Sequence, residues 1–91
     1  MSFPVVWQRL AEDQLAALWA SAPDQQAVAD AADDIDDLLR RDPLAQGESR
    51  TGGVRILFRR PLSALFRVDE PAAVVYVMAI KRAKRPPGPS P

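Results

Sequence analysis

Four arginines, Arg55, Arg59, Arg60 and Arg67, fall within one short stretch, "GGVRILFRRPLSALFRV", residues 52–68. Lys81 and Arg82 follow at the end of the next apolar run. Guanidinium groups at this density form either a solvated sheet face or a surface that holds an anionic partner. The chain also restricts which group could move a proton in any reaction. It has no histidine and no cysteine. Imidazole bases, Ser-His-Asp triads, thiol nucleophiles, zinc–thiolate sites and disulfides are therefore excluded. The candidate binding surface is Arg55, Arg59 and Arg67 with Leu57 and Leu65.

The formal net charge of zero conceals a strong asymmetry. Residues 1–49 carry three basic and ten acidic side chains, 3 − 10 = −7; residues 50–91 carry nine and two, 9 − 2 = +7. Such segregation is the footprint of a charged partner, or else of helices that carry carboxylates and strands that carry arginines. At 91 residues the chain holds one modest core. The longest unbroken apolar run, Ala72 to Ile80, is too short to cross a bilayer as a helix. With no cysteine and no secretory signal visible after Met1, a cytoplasmic protein is expected, without a membrane partner, metal or small-molecule cofactor.

The elements that must position these cations can be read from their periods. Phe3 to Trp7 is a short β-forming run whose Pro4 confines it to an edge or a strand start. From Gln8 to Ala22 the period turns helical: Leu10, Gln14, Ala17 and Leu18 lie beside the row of Leu15 and Trp19, and Pro23 ends the segment. A second helix is predicted from Asp24 to Arg41, where Val28, Ala31, Ala32, Ile35, Leu38 and Leu39 form one apolar stripe. Asp36 and Asp37 precede Arg40 and Arg41 by four residues, the favourable order for helix ion pairs. The remaining aspartates read as a solvated face, because neighbours on one helix do not converge on a metal ion.

"LAQGESRTGG", residues 44–53, is a loop by composition, and Gly52-Gly53 lacks the lysine and following helix of a phosphate loop. Val54 to Arg60 alternates. Val54, Ile56 and Phe58 are expected to face the helices, and Arg55, Leu57 and Arg59 to face away. After the Arg60-Pro61 turn, Leu62, Ala64, Phe66 and Val68 face the helices, with Ser63, Leu65 and Arg67 opposite. The Ala72–Ile80 run is expected to be a central strand, with Tyr76 in the core. The fold class is therefore α+β: an N-terminal strand, a two-helix hairpin, then a three-stranded antiparallel meander. Residues 1–84 form the domain. Residues 85–91 form a basic and proline-rich tail whose end is expected not to pack.

The order of these segments resembles the RelE/ParE superfamily of type II toxin–antitoxin toxins. The resemblance lies in "VVW" opening into a helix, in "AVADAADDIDDLLRRDPLAQGE", in the G-V-R-I-L strand and in "LFRVDEPAAVVYVMAIKR". It implies a toxin that inhibits growth through a cationic sheet face and is neutralised by a cognate antitoxin. The cellular target would be DNA gyrase, or ribosome-bound messenger RNA. For an RNA-cleaving member of the family, Arg55, Arg67, Lys81 and Arg82 match basic positions. The arginine expected near Pro61-Leu62-Ser63 is missing, and so is the C-terminal Tyr or His, where "AKRPPGPSP" stands instead. These departures bring the chain nearer the gyrase-poisoning branch. A toxin-derived module that only binds a partner is a third reading.

Overall fold

The computed structural model describes residues 2–49 and 51–83. Five strands form one mixed sheet in the order β1-β5-β4-β3-β2. They are β1 (Val5–Trp7), β2 (Glu48–Ser49), β3 (Val54–Arg59), β4 (Leu62–Asp69) and β5 (Val74–Arg82). Two helices, α1 (Arg9–Ser21) and α2 (Gln25–Arg41), separate β1 from the rest. Strands β3, β4 and β5 form the expected antiparallel meander, β1 joins β5 in parallel, and β2 adds to the outer edge of β3. The two-residue strand β2 lies inside the stretch that composition reads as loop. The tail from residue 84 onward lies outside the described residues.

Helix α2 forms as its periodicity predicts. Asp24 accepts a hydrogen bond from the Ala27 amide at 3.0 Å, capping a first turn that would otherwise leave that donor unpaired. Val28, Ala31, Ala32, Ile35 and Leu39 are buried, and both predicted ion pairs form, Asp36–Arg40 at 2.6 Å and Asp37–Arg41 at 2.8 Å. Helix α1 packs differently from its expected stripe. Its only buried residue is Ala11, with Leu15, Leu18 and the following Ala22 partly buried against the core. Leu10 and Trp19 remain exposed, at 59% and 46%. The small Ala11 lets the helix approach the sheet closely, so the packed row runs 11, 15, 18, 22.

The core lies between the helices and one sheet face. Phe66, Ile35, Leu39, Leu62 and Ile80 are fully buried, each contributing about 2–3 kcal/mol of apolar burial. Short polar ties fasten the edges. Phe3 N–H donates to the Arg40 carbonyl at 2.8 Å, satisfying one of the last carbonyls of α2. Beyond the end of β1, the edge of β5 is met by α1. The Gln14 side-chain oxygen accepts from the Ile80 amide at 2.8 Å.

The register contains one irregularity that sets the faces. Leu65 opposes Ala79 while Phe66 opposes Val77, so Met78 is an extra residue in β5. This bulge carries the buried set from Val75 and Val77 to Ile80, breaking strict alternation.

Candidate partner-binding sheet face

The cations do not gather on one surface. Residues directly opposite in an antiparallel pair point to the same side. Arg55 opposes Phe66, Leu57 opposes Ala64, and Arg59 opposes Leu62. Those three β4 residues are buried beneath the helices. Leu57 is itself only 7% exposed and belongs to the core. The expected phase of β3 is thus reversed: Val54, Ile56 and Phe58 face away from the helices, and Phe58 is 48% exposed. Counting apolar residues favours the wrong face of this strand, because three of its four lie on the open side.

Arg55 and Arg59 tolerate the helix-side phase because they sit near the ends of β3, where long stems lie along the sheet and the charged heads reach its margin. Arg55 Nη1 donates to the Gln46 carbonyl at 3.4 Å. Arg59 is exposed, as is Arg82, which opposes Leu62 from β5 and shares that phase.

On the open face the strand register places Arg67 beside Tyr76 and Lys81 beside Ser63. The Arg67 guanidinium lies 5.2 Å from the centre of the Tyr76 ring, within cation–π range. Tyr76 is therefore on the open face rather than in the core. Ser63 Oγ donates to the Lys81 carbonyl at 3.4 Å. Between the two cations lie Leu65, Ile56 and Ala79, all half-buried and not covered by either helix. Along β4, Arg67 and Ser63 are four residues apart, about 13 Å at the usual rise. The face therefore has an apolar centre with a cation at each end. Of the sequence-derived set, Arg67, Leu65 and Lys81 come together here; Arg55, Leu57, Arg59 and Arg82 do not.

Sequence reasoning missed the contribution of Ile56, Phe58 and Tyr76. No local signal could have supplied it, since their exposure depends on which β4 residue each β3 residue meets. Arg55 and Arg67 do approach one another at the strand ends. There they line a pocket of about 490 Å³ with Leu44, Gly53, Asp69 and Glu70. Its two carboxylates offset its two guanidiniums, so it is a poor receptor for a lone anion. Among the described residues no group of acidic side chains could hold a metal ion. None of their helices is long and apolar enough to cross a membrane.

The parallel strand before the helix hairpin, the meander after it and the uncovered sheet face define the fold of the RelE/ParE toxins. Three solved structures carry the comparison. The chain superposes with a TM-score of 0.73 on a chain of the RelBE2 toxin–antitoxin complex from Mycobacterium tuberculosis, at 19% identity, covering 91% of this chain and 93% of that one. It does so with the same score on a chain of the chromosomal ParDE toxin–antitoxin system of P. aeruginosa, at 26% identity, covering 91% and 98%. The isolated E. coli RelE toxin matches at 0.66 and 12% identity, covering 94% and 89%. No protein-family model matches the sequence, and no curated protein does.

Proposed function

We propose that this chain is the toxin of a type II toxin–antitoxin module, and that it arrests growth by binding its target rather than by cutting RNA. The carrying observation is the separation of the cations. Arg67 and Lys81 are about 13 Å apart along the open face, while Arg55, Arg59 and Arg82 belong to the opposite phase. Charge stabilisation at a single phosphorus needs donors that converge on one point. Spaced cations around Ile56, Phe58 and Leu65 instead suit a protein surface with an apolar centre and flanking carboxylates. DNA gyrase is the target the family resemblance suggests for a toxin of this kind.

The same face suits a cognate antitoxin. On a helix, acidic side chains seven or eight positions apart share one face about 11–12 Å along the axis, close enough to meet the long side chains of Arg67 and Lys81 while an apolar stripe covered Leu65. The supporting observations are the uncovered face and the toxin–antitoxin complexes among the structures of like fold.

One observation favours a second reading, messenger-RNA cleavage at the ribosome. Tyr76 lies beside Arg67 on the open face, so a hydroxyl and a guanidinium are adjacent. Inducible expression in a bacterium, following growth and total RNA together, separates the two. Arrest with intact transcripts is expected. Arrest with transcripts cut early after induction, and spared when Tyr76→Phe is expressed, would overturn the binding mechanism. Unimpaired growth would leave a partner-binding module without toxicity.

A further inference from the structure

Two cations have no part in the open sheet face. Arg60, in the turn between β3 and β4, and Arg82, at the end of β5, are exposed, and neither joins an ion pair among the described residues. The backbone brings them to one place. Arg82 opposes Leu62 across the β4–β5 pair, and the Ala83 amide donates to the Pro61 carbonyl at 2.8 Å. The end of β5 is thereby held against the turn that carries Arg60.

Both side chains line a pocket of about 570 Å³, framed by the tip of the helix hairpin, the β3–β4 turn and the end of β5. Its walls include Leu18, Ala22, Ala27, Val28 and Leu62. Val28 and Leu62 are core residues, so the pocket reaches down to the core from a charged rim. Asp24 also lines it, but its carboxylate already accepts from the Ala27 amide at 3.0 Å. Two guanidiniums therefore stand against one carboxylate that is engaged in capping α2. We propose that this pocket binds a medium-chain fatty carboxylate, with its chain against Leu18, Val28 and Leu62 and its headgroup between Arg60 and Arg82.

Size and lining set the kind of ligand. Small-molecule sites are concave, mostly apolar and furnished with a few polar groups, as this one is. Charge sets the class. A carboxylate is met by the planar forks of two guanidiniums, whereas a cationic amphiphile is repelled and a neutral one gains nothing from them. The alkyl chain supplies the rest by leaving water for the apolar walls. The site uses neither Arg67 nor Lys81, so it stands apart from the toxin reading of the sheet face.

Titration calorimetry and backbone-amide NMR of the full chain provide the test, with sodium hexanoate, octanoate and decanoate each kept below its micellar concentration. Every added methylene should tighten binding about fourfold. The amides of Ala27, Leu62 and Ala83 should shift, and decyltrimethylammonium should leave them in place. Arg60→Gln with Arg82→Gln should weaken decanoate about tenfold, whereas Arg67→Gln should leave its affinity unchanged. Ala27→Leu fills the pocket from a helical position that suits leucine, and should abolish the shifts. Decanoate binding that survives both the double arginine variant and Ala27→Leu would overturn the proposal. So would equal binding of decanoate and decyltrimethylammonium, or amide shifts confined to other parts of the chain. Recruitment to phosphatidylglycerol vesicles with no response to free decanoate would also overturn it, giving the pocket to a membrane lipid.

Discussion

Asp36 shows how much one side chain settles at this fold's first joint. Its carboxylate accepts from Trp7 Nε1 at 3.0 Å and from Arg40 Nε at 2.6 Å, so it ties β1 to α2 while pairing along the helix. Asp36→Ala should destabilise by about 1–3 kcal/mol, because the half-buried indole N–H loses its acceptor. Asp36→Asn keeps an acceptor and should lose less. Denaturant titration separates the two, and equal losses would show that the charge on Arg40 matters more than the indole. The cations can be ranked in the same way. If the open face meets the antitoxin, Arg67→Ala should weaken the complex about tenfold or more, as for a charge-assisted contact. Arg59→Ala, on the other side of the sheet, should leave affinity nearly unchanged in calorimetry. The reverse ranking would mean that the helix side is the interface.

The loop before β3 is as constrained as a regular element. Gly47 has φ +73°, and a Cβ there would stand 2.5 Å from the Ile56 carbonyl oxygen. Gly47→Ala should therefore cost more than the roughly 1–2 kcal/mol of the left-handed conformation, since the backbone of β3 must also shift. Thermal melts read this directly, and an unchanged midpoint would show that the β2–β3 edge is not held as described. The opposite case is Ala73, a non-glycine residue at φ 54° in the turn before β5. Ala73→Gly should be neutral or stabilising, by up to about 1 kcal/mol, as left-handed strain is relieved against added freedom in the unfolded chain.

Across the whole molecule, acidic helices back a sheet whose three inner strands, β3, β4 and β5, carry the cations. The exposed carboxylates of α2, Asp30, Asp33, Asp34 and Asp37, lie on the opposite side of the domain from Arg67 and Lys81. A partner bearing carboxylates is therefore drawn to the sheet and turned away from the helices before contact. If the proposed antitoxin is that partner, its association should slow as salt rises from about 0.05 to 0.5 M, where the screening length falls to a few ångströms. Dissociation should change much less, because the centre of the face is apolar. Stopped-flow measurement checks both rates, and an association rate indifferent to salt would remove electrostatic steering from the account.

The sequence alone determined the order of the elements, the buried stripe and ion pairs of α2, the phase of β4 and the likeness to the toxin fold. Those features are local or periodic. A stripe repeated over five turns, or a proline that ends a helix, acts wherever the rest of the chain lies. Tertiary structure alone decided which arginines share a face. Alternation in β3 defines two sets of side chains but does not say which set is covered. Pairing of Leu57 with Ala64 put Arg55 and Arg59 on the helix side and freed Ile56 and Phe58, and the bulge at Met78 set which β5 residues join each side. The strand β2 was invisible for the same reason: two residues carry no period, and only the open edge of β3 gives them a partner.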